Sequence, residues 1–323
     1  MTLNRKENPQ MKKYGFGVDI GGTTCKIGLF ETTGKLLEKW EIPTDTQEEG
    51  KNILPDVAAS LSQKMKEKGI PQGEVEGIGI GIPGPVEANG VVPVCVNLGW
   101  KDMDVPKEMQ SLMEGLPVKA GNDANVAALG EMWQGGGKGC KSLVMVTLGT
   151  GVGGGIIVHG QIVAGANGAG GEIGHITVNP HESIPCNCGR KGCLEQYASA
   201  TGITRLAKEW LAQGQGESLL DQAGEVSAKS VFDAYKQQDK AAQEIVGKFA
   251  RILGNALSNI ACVTDPEVFV IGGGVSKAGA PLLEAVEVAY QEAAFSSCAG
   301  AKFALASLGN DAGIYGGVKM VLE

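Results

Sequence analysis

Two α/β domains are predicted for this chain, on three observations. At 323 residues it exceeds what one hydrophobic core ordinarily organises. Short apolar runs alternate with stretches of helical period, and many of its 50 glycines cluster where the runs end, as at the ligand-binding turns of α/β proteins. An opening of strand, glycine turn and return strand occurs near the N-terminus and again near residue 142, so the second half repeats the first.

The first eleven residues, polar and aperiodic, read as a disordered leader, and a smaller N-terminal α/β domain follows over residues 12 to 120. Tyr14 to Ile20 is an apolar run that Gly21 and Gly22 turn into a second strand, Cys25 to Phe30, with a third at Leu36 to Ile42. Apolar residues at 53, 54, 57, 58, 61 and 65 mark an amphipathic helix over Asn52 to Lys68, which Gly69 ends. Val75 to Ile82 is a buried strand that stops at Pro83, Gly84 and Pro85. A loop carrying Asn97 in the run VNLGW leads to a short strand, Pro117 to Ala120, and to a helix over Asp123 to Trp133.

The larger C-terminal domain, residues 121 to 310, opens on a strand over Ser142 to Leu148, a turn TGVGGG and a return strand, Ile156 to Val158. Leu194 to Gln213, Ser230 to Gln237 and Lys240 to Val263 have helical period. Val268 to Ile271 is a buried strand turned by three glycines, after which Ser276 can cap the next helix. A strand at Phe303 to Ala306 comes next, and a last helix, about 311 to 323, is expected to pack back on the N-terminal domain.

Composition excludes several classes of function. With 43% hydrophobic and 20% charged residues the chain is an ordinary globular one. A net charge of −8 opposes nonspecific nucleic-acid binding, which neutralises phosphates with Lys and Arg, so the partner expected is a small molecule. There is no apolar run long enough for a membrane helix and no apolar segment after the charged N-terminus, which points to a cytoplasmic protein without a membrane partner. Eight cysteines in a chain of this size fit a reducing compartment.

Between Gly171 and Glu195 stand four soft donors: His175, then ten residues to Cys186, one to Cys188 and four to Cys193. One imidazole and three thiolates are a closed structural zinc set, since they fill all four tetrahedral positions and leave none for water. Gly189 and Gly192 let the backbone wrap closely. The alternatives are reduced buried thiols or a redox pair, which the polar run CNCGRKGC suits poorly. His181 lies inside the bracket as a competing ligand or a solvated loop residue, and His159 belongs to a strand or turn.

Three glycine-rich turns follow strands: DIGGT with Asp19, Gly21, Gly22 and Thr23; LGTGVGGG with Thr150 and Gly151; and IGGGV with Gly273 and Gly274. Such turns let backbone N–H groups close on anionic oxygens, although hairpins need glycine too. Asp19, ending its strand beside the turn, would be repelled by polyphosphate unless a divalent cation lay between them, so it suits Mg²⁺ held through water; otherwise it bonds its own turn.

Taken in order, DIGGT, GIPGPV, NDANVAALGE, LGTGVGGG, GEIGH, CNCGRKGCLE and IGGGVS resemble the ROK family of sugar kinases and repressors over nearly the whole chain. Within the family the sequence most resembles the bacterial ATP-dependent glucokinases. The resemblance implies an actin-like ATPase (ribonuclease H-like) fold, two α/β domains with a cleft between them. By the same resemblance Asp123 matches the catalytic base, and Asn122, Glu172, His175 and Glu195 match residues that hydrogen-bond the sugar. Asn97 and Gly84 match further sugar contacts. Asp19, Gly21, Gly22, Thr23, Thr150 and Gly151 fall in the phosphate turns, and Gly273 and Gly274 in the adenosine turn. His175 would serve zinc with one ring nitrogen and sugar with the other. The family commonly forms dimers or tetramers.

Sugar-kinase chemistry suits these assignments. A carboxylate must accept the proton of the hydroxyl that attacks the γ-phosphorus, and Asp123 stands where a helix dipole favours its ionised form, although an Asp there also reads as an N-cap. Glu172 and Glu195 flank a loop of over twenty residues, which a closed zinc site would hold in register. The expectation is therefore a kinase phosphorylating glucose at O6 with ATP and Mg²⁺, and a structural zinc. The alternatives are an N-acetylhexosamine kinase or a fructokinase. A repressor is less expected, because only about eleven residues precede the first strand, where repressors carry a helix-turn-helix.

Overall fold

The computed structural model describes residues 11 to 214, 216 to 222 and 224 to 322. All of the expected leader but Met11 lies outside the described residues. The chain forms two compact units, one taking the described residues up to Asp123 with those from Gly313 onward, the other Ala124–Ala312.

The first unit is built on a five-stranded sheet. Strands β1 (Tyr14–Ile20), β2 (Thr24–Glu31) and β3 (Leu36–Pro43) form an antiparallel meander. Helix α1 (Ile53–Lys68) ends where Gly69 adopts φ +63 and donates its N–H to Met65 and Lys66, a conformation that favours glycine. Strand β4 (Val75–Ile82) pairs parallel with β1, and after a two-stranded hairpin of β5 (Val91–Cys95) and β6 (Trp100–Asp104) comes helix α2 (Val105–Leu112). Strand β7 (Val118–Asn122) pairs parallel with β4, for the order β3-β2-β1-β4-β7, and runs directly into helix α3 (Asp123–Gln134). β4 is buried on both faces and so reads as a continuous apolar run, whereas β3 at the edge alternates between half-buried and exposed.

The second unit repeats this order. Strands β8 (Leu143–Leu148), β9 (Val152–Val158) and β10 (Gln161–Ile162) make the meander. The long loop that carries His175, Cys186, Cys188 and Cys193 follows, then helices α4 (Glu195–Ala198), α5 (Ala200–Ala212), α6 (Ala228–Lys236) and α7 (Lys240–Thr264). Strand β11 (Val268–Gly272), helix α8 (Ala280–Ala293) and strand β12 (Lys302–Leu305) complete the order β10-β9-β8-β11-β12, with β11 parallel to both neighbours. Helix α9 (Ala312–Val321) then lies on the first unit's sheet. It approaches so closely that a Cβ on Gly17 would stand 1.8 Å from the Ile314 carbonyl oxygen, and one on Gly79 1.7 Å from that of Gly317.

Four local features differ from the sequence reading. The glycines of TGVGGG mostly belong to β9, because a Cβ on Gly155 would meet Ala124 and Ala128 of α3 and one on Gly154 would meet Gly171 and Ile173, so the strand is stripped to admit its neighbours. The single helix expected over Leu194 to Gln213 breaks at Ser199, which turns extended and caps α5 by accepting the Gly202 N–H at 3.0 Å. The segment from 91 to 112, taken as loop, holds β5, β6 and α2. Ser276 caps nothing: its hydroxyl donates to the Gly273 carbonyl within a 3-10 turn, and Gly279 precedes α8.

Candidate active site and metal-binding group

His175, Cys186, Cys188 and Cys193 come together in the second unit, with one donor atom of each within 4.8 Å of the others. Two thiolates at ordinary zinc distances on a tetrahedral ion stand about 3.8 Å apart; Cys188 and Cys193 Sγ are 3.7 Å apart, and His175 Nδ1 is 4.0 Å from Cys186 Sγ. The donor set fits a structural metal. Its backbone is shaped for the purpose, since Gly189 (φ +82) closes the turn by donating to the Cys186 carbonyl. Gly192 (φ +73) passes so near Asn179 that a Cβ would lie 1.8 Å from its carbonyl oxygen. Burial and a hydrogen bond to Glu195 push the Cys186 thiol up to about 12, so the metal-free chain keeps it protonated. His181 is exposed and outside the group, and His159 sits at φ +51 in the turn between β9 and β10.

A polar brace that sequence reasoning missed holds the same loop. Glu182, whose side chain is only 9% exposed, accepts from the Ile184 N–H at 3.0 Å, the Tyr197 hydroxyl at 2.5 Å and the Arg205 guanidinium at 2.9 Å. These donors, the Ile184 N–H first, draw its carboxyl down to about 2. Gln196 accepts from the Cys193 N–H at 3.0 Å and donates to the Ile184 carbonyl at 2.9 Å. No short-range signal in the sequence marks this pair, whose members stand 23 positions apart.

Glu195, the first residue of α4, links three features. Its Oε1 accepts from Cys186 Sγ at 2.8 Å and stands 3.9 Å from His175 Nδ1, while a Cβ on Gly151 would lie 2.7 Å from its Oε2. The second glycine-rich turn therefore lies against this carboxylate. Thr150, Gly151, His175 and Glu195 share an open cavity of about 640 Å³ with Cys186 and Arg205. Glu172 is exposed at the start of the 3-10 turn Ile173–His175, and does not line that cavity. The neighbouring segment is pinned by Asn125, 2% exposed, which donates to the Gly170 carbonyl and accepts from the Ile156 N–H. Gly273 (φ +82) packs on the backbone of Leu148, and Gly274 opens a second cavity of about 520 Å³.

In the first unit, Asn122 ends β7 and Asp123 begins α3. The Asn122 amide donates to the Gly84 carbonyl at 3.0 Å and to Asp123 Oδ1 at 3.1 Å, so the PGP turn and the carboxylate are tied by one side chain. Asn97 is exposed at the tip of the β5–β6 hairpin. Burial pushes the Cys95 thiol up, the N–H groups of Leu98 and Asn97 draw it down, and the Asp123 carboxylate raises it further, which puts that tip within the field of Asp123. Asp19 is half-buried near the end of β1; burial raises its carboxyl from the ordinary range against the pull of Lys26 opposite. The turn beyond it is closed by the Gly21 N–H on the Thr24 carbonyl and by Thr44 on the Gly21 carbonyl, leaving Gly22 and Thr23 exposed.

Two units with the same strand order, each opening on a meander with a glycine turn, define an α/β phosphotransferase-type architecture, the actin-like ATPase fold. The chain belongs to the ROK family, whose model matches residues 15–323. A glucokinase of Halalkalibacterium halodurans is 45% identical over 316 residues, 96% of each chain. The crystal structure of a ROK family glucokinase from Streptomyces griseus in complex with glucose and AMPPNP superimposes with a TM-score of 0.69 at 32% identity, covering 95% of this chain and 98% of that one. An N-acetyl-D-glucosamine kinase of Mannheimia succiniciproducens is 31% identical over 274 residues, 81% of this chain and 84% of its own. No helix among the described residues is long and apolar enough to cross a membrane.

Proposed function

We propose that the chain is a glucokinase, transferring the γ-phosphoryl group of ATP to O6 of glucose. The observation that carries this reading is likeness to a glucokinase at 45% identity along 96% of the chain; the grouping of Thr150, Gly151, His175 and Glu195 on one cavity supports it. Asp123 accepts the proton of the C6 hydroxyl as its oxygen attacks the γ-phosphorus and ADP departs. Asn122, bonded to one oxygen of that carboxylate and to Gly84, orients it. Glu172, Glu195 and the free face of His175 take hydrogen bonds from the sugar hydroxyls, and Asn97 and Gly84 are the further sugar contacts that the first unit offers.

The backbone of Gly21, Gly22, Thr23, Thr150 and Gly151 cradles the phosphates, and Gly273 and Gly274 receive the nucleoside. Mg²⁺, when bound with ATP, neutralises phosphate charge, and Asp19 would hold its hydration shell. A structural zinc on His175, Cys186, Cys188 and Cys193 would supply a fixed frame for Glu195 and no step of the reaction. The setting is the cytoplasm, and the assembly a dimer or tetramer, to be read by light scattering.

The likeness to an N-acetyl-D-glucosamine kinase favours a second reading, the same chemistry on an N-acetylated hexosamine. A coupled ADP assay over glucose, mannose, fructose, N-acetylglucosamine and N-acetylmannosamine separates the two. Glucose is expected to have the highest kcat/KM; an N-acetyl sugar in first place refutes the primary reading.

A further inference from the structure

The cavity of about 520 Å³ beside Gly274 lies between the starts of α5 and α6 and the 3-10 turn Gly274–Ala278. Its inner wall is Ala228, Phe232 and Val275, all buried. The hydroxyls around it have their protons committed or serve the backbone. Thr201 donates to the Thr150 carbonyl at 3.0 Å and Thr204 to the Ala200 carbonyl at 2.8 Å, while Ser227 accepts the Ser230 N–H in the capping box of α6 and turns its own proton to Ser230 Oγ at 3.4 Å. The carboxylate at the rim, Asp233, is 46% exposed and paired with Lys229 at 2.6 Å, and the amines of Lys236 and Lys277 stand in solvent.

A buried group that bonded only one base would reject the others by roughly 10⁴ to 10⁵-fold, because the wrong base would leave it unpaired. Among the described residues lining this cavity no side-chain acceptor is buried for an exocyclic amine, and no hydroxyl proton is left for an exocyclic oxygen. Apolar walls that read volume discriminate near-isosteres by no more than about 100-fold. Adenine, guanine and hypoxanthine share one bicyclic shape and differ in those exocyclic groups and in whether N1 carries a proton.

Resting on the reading of the Gly273–Gly274 turn as the nucleoside site, we propose that this pocket selects its base by shape, so that guanosine and inosine triphosphates donate phosphoryl groups alongside ATP. The bonds exchanged do not change with the base: O6 of the sugar bonds to the γ-phosphorus, the bridge to the β-phosphate breaks, and the nucleoside diphosphate leaves.

The test compares kcat/KM for ATP, GTP and ITP at saturating glucose, with calorimetric binding of ADP, GDP and IDP to the same protein. Values within about 100-fold of one another are expected; a wider preference for ATP overturns the proposal. Ala278→Leu, which narrows the cavity at its rim, is expected to raise the KM of all three triphosphates together and leave the glucose KM in place, and a KM that moves for ATP alone or for none overturns it. A protein that binds the three diphosphates comparably yet phosphorylates no hexose sinks the kinase reading and leaves base tolerance standing. Binding of none sinks both.

Discussion

Asp123 and Glu195 are both carboxylates on the first residue of a helix, and they are held by unlike means. Asp123 stands where the edge strand β7 becomes a helix of 12 residues, so regular backbone structure on both sides fixes its Cα, and the amide of the neighbouring Asn122 holds its Oδ1. Glu195 starts a helix of four residues at the end of a loop whose regular structure is one 3-10 turn and two isolated bridges. Its position comes from side-chain contacts, the Cys186 thiol on its Oε1 and the Glu182–Arg205 brace beside it, with a His-Cys₃ group suited to a metal in the same loop. A carboxylate between two regular elements is placed by the fold, whereas one on a loop has to be placed by chemistry added to the loop.

The comparison breaks most visibly at Asp123. If this residue is the base, Asp123→Asn should keep the amide-compatible geometry and lower kcat by roughly 10² to 10⁴-fold. The dissociation constant for glucose should stay within a few-fold, since the isostere retains a hydrogen-bonding group. Turnover near that of the parent enzyme would remove Asp123 from the mechanism.

Metal removal acts on the other side. If His175, Cys186, Cys188 and Cys193 hold the proposed zinc, a chelator should free the loop without touching α3. Its effect should therefore fall mainly on the glucose KM, with a loss of roughly 10 to 100-fold in kcat/KM that added zinc restores. Elemental analysis should find about one zinc per chain. A preparation without metal that keeps full kcat/KM would show that the polar brace alone holds Glu195.

What could be read in the sequence follows the same division. Buried strands such as Val75–Ile82, the helix stopped at Gly69 and the four soft donors have short-range signatures, and each was legible. The β5–β6 hairpin was not: VVPVC contains a proline, WKDMD is largely polar, and neither alternates cleanly. Helix α2 is eight residues long, although Asp104 as N-cap with Pro106 in the first turn was a usable sign. The Glu182–Arg205 pair spans 23 positions, and no local pattern joins its members. The glycines of β9 were taken as a turn because the residues that press on them come from α3 and from the segment at 171 to 173, contacts that only the folded unit supplies.

Asp19 sharpens the comparison through pH. Burial raises its carboxyl above the ordinary range, so ionisation is harder in the folded chain than in the unfolded one. In the ligand-free protein this makes the ionised Asp19 destabilising, a penalty that appears as pH rises through the raised value. Asp19→Asn should therefore slightly raise the melting temperature of the free protein at pH 7. If the carboxylate holds the hydrated Mg²⁺ of the nucleotide, the KM for MgATP should climb as pH falls through that raised value, by up to about tenfold per unit. The dependence should flatten in Asp19→Asn. A parent profile level down to the ordinary carboxylate range would refute the cation role.

The smallest effect expected is at the brace. Glu182 is held down to about 2 from 4.5, so its ionised form contributes stability at neutral pH that fades as pH falls from about 4.5 toward 2. Glu182→Gln keeps the shape but leaves Arg205 and the Tyr197 hydroxyl facing a neutral amide, a loss of about 2 kcal/mol for hydrogen bonds to a charged group. Hydrogen exchange should quicken at Ile184 and nearby amides of the loop, with the gap between variant and parent closing in acid. If the proposed zinc supports the same loop, the change in glucose KM should be small in the metal-loaded protein and larger after chelation. Equal KM changes with and without metal would mean that the two supports act independently, and that Glu195 is not positioned by both.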